Sequence, residues 1–212
     1  MMPGSLITFE GIDGSGKSTQ IQMLEYEFDK LGVEYKTFRE PGGTELSEKI
    51  RAILLDKKNI ELISTAESLL FAAARAQLTA EQIKPAIAKG EFVICDRFTD
   101  STIAYQGYGR GLNINNLEKI NNIATDGLNP DITFILDINP DVTKIRMDAE
   151  ALDRMENIGK DFFERVRQGY HRIKEQNPNR CMEINAEQTP EDVFRDIREI
   201  IIEKYEEILI CS

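Results

Sequence analysis

Five short apolar runs rich in β-forming residues recur along the chain, and stretches with helical periodicity separate them. The runs cover residues 6–9, 35–38, 92–95, 132–138 and 181–184. Adjacent parallel strands cannot be joined by a tight hairpin, so strands separated by helices pair in parallel through right-handed crossovers. The pattern therefore predicts an α/β fold, with a five-stranded parallel sheet and helices on both of its faces.

Several helix boundaries are also readable from the sequence. An apolar stripe over residues 17–31 ends at Gly32, which is typical of a helix with a C-terminal glycine. Ser64 and Glu67 have capping-box spacing and predict the start of a long helix that kinks near Pro85. Two further helix starts are predicted where a capping residue precedes proline, at Asn139-Pro140 and Thr189-Pro190.

The first predicted strand runs directly into a phosphate-binding loop at residues 11–18, which read Gly-Ile-Asp-Gly-Ser-Gly-Lys-Ser. The glycines let backbone N–H groups turn towards phosphate oxygens, and the following helix adds a favourable dipole. We expect Lys17 to reach the β- and γ-phosphates and Ser18 to supply an oxygen to Mg²⁺. The strand, loop and helix together predict a nucleoside triphosphate site at the carboxyl ends of the strands.

Two other strand ends carry charged residues. Asp96 follows the third strand, where a carboxylate that binds a Mg²⁺-bound water is expected. Asp137 ends the fourth strand, but because it is expected to lack a basic partner and is followed by a helix cap, it is interpreted as structural. Arg97 can clamp a phosphoryl group in flight, and the alternative is an ion pair with Asp96 or another acid.

Two more segments could contribute to a nucleotide cleft. Phe71 and Arg75 are four residues apart and so share a helix face, where they could stack on a base and bind its edge. The alternative is a core Phe beside a surface Arg. The turn after the second strand could direct Arg39 into the same cleft, or could be a plain turn.

Composition narrows the function further. The 26 basic and 37 acidic residues give a formal net charge of −11, which argues against nucleic acid binding as the main activity. No apolar run has the roughly 20 residues of a membrane span, and none near the start suits a signal-peptide core, so a cytoplasmic protein is expected. Cys95, Cys181 and Cys211 lack disulfide or zinc spacing and are interpreted as reduced structural thiols. His171 is interpreted as a surface residue.

Three motifs together resemble those of bacterial thymidylate kinases. They lie at residues 9–19, 39–44 and 96–107, and the last is the most specific of them. Shorter similarities at residues 71–75, 129–131 and 152–154 extend the resemblance over nearly the whole chain. It implies a phosphate-loop nucleoside monophosphate kinase, built as one domain over residues 1–212. The implied reaction transfers the ATP γ-phosphoryl group to dTMP with Mg²⁺, in a protein that forms a homodimer.

The resemblance also assigns roles to individual residues. It implies an ATP-binding loop formed by Gly11, Ile12, Asp13, Gly14, Ser15, Gly16, Lys17, Ser18 and Thr19. Phe71 would stack on thymine, with Arg75, Thr102 and Gln106 at its polar edge and Arg51 nearby. Arg39 and Arg97 would hold the acceptor phosphate, while Asp13 would approach the deoxyribose or a Mg²⁺-bound water, and Tyr105 would crowd the 2′ position. Glu40, Pro41 and Ser101 complete the implied acceptor site.

Kinases of this family place an arginine either in the phosphate-binding loop or in a short helical lid after the fourth strand. Here the loop carries Ser15 at that point, so the arginine is expected in the lid, at about residues 146–159. Arg146 and Arg154 are the candidates for supplying its charge to the transferring phosphoryl group.

Two other functions stay open on the sequence. A deoxynucleoside kinase would phosphorylate a neutral hydroxyl and so would need a carboxylate base, for which Glu10 or Asp13 could serve. A nucleotide-dependent switch would use the phosphate-binding loop to change partners. The sequence also leaves open whether Asp96 or Asp13 holds the Mg²⁺-bound water, and how strictly thymine is selected over uracil.

Overall fold

A single parallel sheet forms the centre of the computed structural model, which describes residues 4–146 and 159–209. Its strands are β1 Leu6–Glu10, β2 Tyr35–Arg39, β3 Phe92–Asp96, β4 Ile132–Asp137 and β5 Cys181–Asn185. They are ordered β2-β3-β1-β4-β5, and every adjacent pair is parallel. The predicted five-stranded α/β fold is confirmed, and each strand begins at the residue expected from its apolar run.

Helices cover both faces of this sheet. They are α1 Lys17–Leu31, α2 Glu45–Leu55, α3 Ser64–Leu78, α4 Lys84–Ala88, α5 Thr99–Thr102, α6 Ile114–Thr125, α7 Pro140–Arg146, α8 Lys160–Gln176 and α9 Pro190–Leu209. Alternate strand residues point to opposite faces, so Ile7 and Leu6 belong to different clusters. Ile7 packs in a large cluster with residues of α1, α8 and α9, whereas Leu6 packs with Leu78 of α3.

Most predicted helix boundaries are confirmed. Gly32 ends α1 in the left-handed conformation at φ 67°. The side chain of Asn139 accepts from the N–H of Asp141, and that of Thr189 accepts from the N–H of Asp192. The long helix is interrupted at residues 79–83, where a π-helical segment immediately precedes α4 and Pro85.

The predicted capping box at Ser64 is wrong. The helix α3 does start at Ser64, but Ile63 is the capping residue, and the N–H of Glu67 bonds to the Ile63 carbonyl within the helix. The Glu67 side chain is fully buried and accepts hydrogen bonds from Gln106 and Arg110. Its carboxylate therefore faces the protein interior and cannot fold back on the helix start.

The structure tests only part of what the sequence predicts about the cysteines, membrane spans and domain organisation. Cys95 and Cys181 are buried free thiols, while Cys211 lies outside the described residues. Within residues 4–146 and 159–209, no helix is long and apolar enough to cross a membrane. The single-domain interpretation stays a prediction, because residues 147–158 of the expected lid lie outside the described part of the chain.

Candidate active site

The phosphate-binding loop connects β1 to the start of α1 at the carboxyl edge of the sheet. Gly11 has φ 137°, and a Cβ there would lie 2.7 Å from the carbonyl oxygen of Leu136, so only glycine fits. Gly16 caps α1 with φ 94°. The Nζ of Lys17 donates to the carbonyls of Gly11 and Ile12, at 3.2 and 3.1 Å. The loop thus holds the ammonium group over its own backbone, where phosphate oxygens would meet it.

One cleft of about 590 Å³ opens beside this loop. The ends of β2 and β3, the segment after β3 and the helices α2 and α3 form its other walls. The predicted acceptor residues all line it: Arg39, Glu40, Pro41, Arg51, Phe71, Arg75, Arg97, Ser101, Thr102, Tyr105 and Gln106. Loop residues Asp13, Gly14, Gly16, Lys17, Ser18 and Thr19 line it as well. Gly11, Ile12 and Ser15 are buried beneath the loop instead.

Arg97 lies at the centre of the cleft and joins the loop to the segment after β3. Its guanidinium donates to the Asp13 carboxylate, to the Tyr105 hydroxyl at 3.1 Å and to the Gly11 carbonyl at 2.8 Å. The Tyr105 hydroxyl donates in turn to the other Asp13 oxygen, at 3.0 Å. The alternative interpretation of Arg97 was an ion pair with Asp96 or another acid. Arg97 does form an ion pair, and its partner is Asp13.

The charged groups of this cluster shift the pKa values of one another. Burial opposes ionisation of Asp13, but the positive charges of Arg97 and Lys17 outweigh it and hold the pKa of Asp13 below its usual value. Burial, reinforced by the charge of Arg97, lowers the pKa of Lys17. Burial also raises the pKa of Tyr105 well above its usual value, so Tyr105 stays a neutral hydrogen-bond donor. A carboxylate held in this way is a poor base and a good anchor for its arginine.

Glu10 supports the same region from below. It is fully buried, and its oxygens accept from the Phe98 N–H at 2.7 Å, from Ser101 and from the Tyr170 hydroxyl at 2.9 Å. Burial and the charge of Asp100 raise the pKa of Glu10 to about 7. Because both of its oxygens are occupied and it does not line the cleft, Glu10 cannot reach a substrate hydroxyl.

Phe71 and Arg75 do lie on one side of α3, but the core-Phe alternative is wrong for both residues. Phe71 is partly exposed and lines the cleft, whereas the side chain of Arg75 is 2% exposed. The N–H groups of Arg75 make five contacts with acceptors. Nε and Nη2 both reach Oε2 of Glu40, and the other acceptors are Thr102, Asn121 and the Phe98 carbonyl. With its donors engaged inside the protein, Arg75 holds the wall of the cleft together.

Arg39 and Arg51 lie at the outer part of the cleft and share one acceptor. Both donate to the Pro41 carbonyl, from Nη1 at 3.3 Å for Arg39 and at 2.8 Å for Arg51. Arg39 also pairs with Glu48 at 3.1 Å. The turn after β2 therefore holds Arg39 of β2 and Arg51 of α2 at the cleft through its Pro41 carbonyl, which decides against a plain turn.

The two strand-end aspartates have different surroundings. Oδ1 of Asp96 is buried at the cleft and has no hydrogen-bond partner within residues 4–146 and 159–209. Asp137 accepts two hydrogen bonds from Arg167, at 2.7 and 2.6 Å, and lies 3.5 Å from Nε2 of His171. The expectation that Asp137 has no basic partner is wrong, because α8 brings one across from 30 residues away in the sequence.

Some site residues were missed by sequence reasoning, and one assignment cannot be placed. Leu55 lines the cleft, and Glu67 and Tyr170 hold cleft residues from behind. In the sequence these three residues occupy ordinary apolar or polar helix positions, which do not mark them as site residues. Arg154 lies outside the described residues, as does the side chain of Arg146, whose backbone ends α7.

A phosphate-binding loop at a switch point of a parallel sheet, facing arginines and a partly exposed aromatic ring, defines a phosphate-loop nucleotide kinase. Comparisons with known proteins give the family. The sequence pattern described as "Thymidylate kinase" matches residues 9–197. The chain therefore belongs to the thymidylate kinase family.

Individual relatives cover nearly all of this chain. The thymidylate kinase of Chlorobaculum parvum is 50% identical in an alignment of 202 residues that covers 91% of this chain and 93% of the relative. That of Chlorobium luteolum is 49% identical in an alignment of 212 residues that covers 95% of this chain and 99% of the relative. The crystal structure of thymidylate kinase from Ehrlichia chaffeensis superposes with a TM-score of 0.76 at 40% identity, covering 94% of this chain and 99% of that chain.

Proposed function

We propose that this protein transfers the γ-phosphoryl group of ATP to dTMP and releases dTDP and ADP. The observation that carries the proposal is the continuity of the cleft, which runs from Lys17 in the phosphate-binding loop to Phe71 and Gln106. Such a cleft accommodates two nucleotides with their phosphates directed towards each other at Arg97. Membership of the thymidylate kinase family supports dTMP as the acceptor.

The arginines suit an acceptor that carries a phosphate. A phosphate monoester is largely ionised at neutral pH, because its second pKa is about 6, so its oxygen attacks without a general base. Arg39, Arg51 and Arg97 provide positive charge along the path of that phosphate. Catalysis then consists of positioning the two phosphates and neutralising their charge.

The same geometry disfavours a deoxynucleoside kinase. That reaction needs a base beside the acceptor hydroxyl, and both candidates are occupied. Glu10 is enclosed by its donors, and Asp13 is bound to Arg97 with a lowered pKa. Asp13 is better placed to hold Arg97 and to contact the sugar or a metal-bound water.

Mg²⁺ fits the residues at the inner end of the cleft. Oxygen ligands suit this ion, and Ser18 and Asp96 are the oxygen-bearing side chains in position. The unpartnered Oδ1 of Asp96 is a buried acceptor suited to a metal-bound water. Bound Mg²⁺ would offset the negative charge of the ATP phosphates, while Lys17 and the loop N–H groups orient them.

The far half of the cleft suits a thymine base on a deoxyribose. Phe71 offers a partly exposed ring for stacking, with Thr102 and Gln106 also lining the cleft as polar groups. The Tyr105 hydroxyl is fixed by Asp13 and Arg97, so its ring is placed to crowd a ribose 2′-hydroxyl. One methyl contact is worth about 1–3 kcal/mol, so we expect dUMP to be a poorer but real substrate.

Two further parts of the proposal concern the lid and the setting of the enzyme. Arg146 or Arg154 is proposed to supply positive charge to the transferring phosphoryl group. If both are replaced by Ala, kcat should fall at least about tenfold, or 1.4 kcal/mol of barrier, and a smaller loss would contradict the assignment.

We also propose a cytoplasmic homodimer that does not bind nucleic acid. The free thiols of Cys95 and Cys181 suit a reducing compartment.

The test is a coupled assay of ADP formation with ATP and Mg²⁺. The acceptors to compare are dTMP, dUMP, the ribose form of TMP, dCMP and thymidine. We expect dTMP to react fastest and ADP formation to be negligible without acceptor, which excludes the switch function. Preference for thymidine over dTMP would overturn the proposal in favour of a nucleoside kinase.

A further inference from the structure

Glu67 is a buried carboxylate that the mechanism above does not use. It lies on α3, one turn before Phe71, and is 0% exposed. Its Oε1 accepts from Nε2 of Gln106 at 2.9 Å, and its Oε2 accepts from Nη2 of Arg110 at 3.2 Å. The cation of Arg110 offsets the cost of burying this charge. Glu67 is thus joined directly to a residue that lines the cleft.

This contact fixes the direction of the Gln106 amide. A side-chain amide has one donor end and one acceptor end, and a carboxylate only accepts, so the NH₂ group must face Glu67. Gln106 is itself 2% exposed and lines the cleft. Its Oε1 accepts no hydrogen bond from any residue within 4–146 and 159–209. The end of the Gln106 amide that faces away from Glu67 is therefore its oxygen, which is an acceptor.

The neighbouring polar group has the opposite character. Thr102 precedes Gln106 by four residues and also lines the cleft. Its Oγ1 accepts from Nη1 of Arg75 at 2.8 Å, which leaves its own O–H to donate. Arg75 is fixed by four other contacts, so its N–H stays on the Thr102 oxygen and the hydroxyl proton points away from Arg75. The cleft wall thus presents a donor at Thr102 and an acceptor at Gln106.

This pattern matches one class of pyrimidine when N3 of the base faces Gln106 and the group on C4 faces Thr102. In that orientation thymine and uracil give N3–H to the Gln106 oxygen and accept at O4, whereas cytosine would bring an N3 acceptor against that oxygen and an N4 amino donor against the Thr102 O–H. We propose that Glu67 is a positioning residue that locks the Gln106 amide so that the cleft takes bases with an N3–H group and rejects cytosine. The proposal rests on a pyrimidine nucleotide as acceptor and so deepens the function proposed above.

The test compares nucleotide binding by the wild-type protein with that of Glu67→Gln. A glutamine at position 67 can donate or accept, so the Gln106 amide is free to turn and offer its NH₂ to cytosine. Calorimetry gives Kd for dTMP and dCMP, and N3-methyl-dTMP serves as a ligand without the N3–H group. We expect the wild-type preference for dTMP over dCMP to fall at least about tenfold in Glu67→Gln, with dCMP binding more tightly than before.

Ser68→Ala is the matched control, because Ser68 is equally buried on α3 and bonds only within the helix, to the Thr65 carbonyl. It should leave the dTMP to dCMP preference unchanged. If Glu67→Gln fails to fold, Gln106→Met removes the acceptor while keeping the length of the side chain. That variant should weaken dTMP binding and leave dCMP binding as it is.

A preference within twofold of wild type in Glu67→Gln or in Gln106→Met would overturn the proposal, as would an equal loss in Ser68→Ala. Binding is measured separately from ADP formation, so the two proposals fail in different ways. Loss of phosphoryl transfer to dTMP in the wild-type protein contradicts the proposed reaction. An unchanged binding preference in the variants contradicts the role of Glu67.

Discussion

Arg97 has an unusual backbone that explains its position in the cleft. It follows β3 with φ 72°, a left-handed conformation that residues with side chains rarely adopt. Its N–H bonds to the Phe9 carbonyl at 2.9 Å, and its guanidinium turns back over the phosphate-binding loop to Asp13. The strain is accepted where the side chain is needed, as is common at functional sites.

Replacing Arg97 tests this role. Arg97→Ala removes the charge at the proposed meeting point of the two nucleotides, so kcat/KM for dTMP should fall about 100-fold or more. The coupled ADP assay measures the loss. Arg97→Lys keeps a positive charge but lacks the forked guanidinium, so its kcat/KM should lie between those of the wild type and of Arg97→Ala. Near-normal turnover by Arg97→Ala in a folded protein would refute the assignment.

Glu10 predicts a pH dependence of stability. Its pKa is about 7 in the folded protein and about 4.5 as a free side chain, so the folded state binds its proton more tightly. A raised pKa stabilises the fold below the free value, and this contribution is lost as pH rises from about 4.5 through 7. The free energy of unfolding from urea titrations should therefore decline over this window through Glu10.

Glu10→Gln isolates that contribution, because glutamine mimics the protonated acid. The difference in unfolding free energy between wild type and variant should change in favour of the variant between pH 5 and pH 7.5. Asp13 provides the contrast, since its lowered pKa adds stability above the free value of 3.8, and this contribution is lost only as pH falls below that value. A difference that stays constant across the window would show that Glu10 does not titrate there.

At the scale of elements, Arg75 joins α3 to three other parts of the fold. Its partners are Glu40 after β2, Thr102 and the Phe98 carbonyl beside α5, and Asn121 of α6. Removing one partner of a buried ion pair leaves the other charge uncompensated. Arg75→Ala should therefore lower the free energy of unfolding by about 3–5 kcal/mol, as measured by urea denaturation.

Arg195→Ala is the control for that measurement. Arg195 also pairs with a carboxylate, Asp192, but it does so on the exposed face of α9. Exposed pairs contribute little, so its loss should change stability by less than about 1 kcal/mol. Equal losses in the two variants would contradict the linking role of Arg75.

The elements were predictable to the extent that their signals are local. Each strand is an apolar run, and the loop, the glycine stop and two caps depend on neighbours in sequence. The capping box at Ser64 failed because the Glu67 carboxylate has a stronger partner 43 residues away, in Arg110. The linking role of Arg75 was harder still to predict, since no pattern in the neighbouring sequence shows that Glu40, Thr102 and Asn121 converge on it.

The cleft was likewise predictable only in part, because some of its features depend on contacts between residues distant in the sequence. Its lining residues were identified through motifs that resemble a family, and the structure brings them together. Which of them contact substrate directly is a matter of free donors and acceptors. Those depend on long-range pairs such as Arg97 with Asp13 and Gln106 with Glu67, which lie 84 and 39 residues apart. Spacing along the chain does not reveal such pairs.

At the scale of the whole molecule, three helices that pack side by side expose apolar residues on one flank. Leu46 and Ile53 lie two turns apart on α2, Leu69 lies on α3 and Ile123 on α6. Ile123 is 79% exposed and Leu69 is 51% exposed. Large apolar side chains exposed on adjoining helices are typical of a protein interface. The proposed homodimer would cover this flank with the same helices of a second copy.

Charges placed on this flank should separate the proposed dimer. We expect wild-type protein to sediment as a dimer and Leu69→Glu with Ile123→Lys to sediment as a folded monomer of half the mass. Tyr26→Glu is the control, because Tyr26 is 62% exposed on α1, outside these three helices, and its variant should remain dimeric. Leu69 is two residues from Phe71 on α3, so separation of the subunits should also raise KM for dTMP. A double variant with unchanged mass, or a monomeric wild-type protein, would rule out this interface.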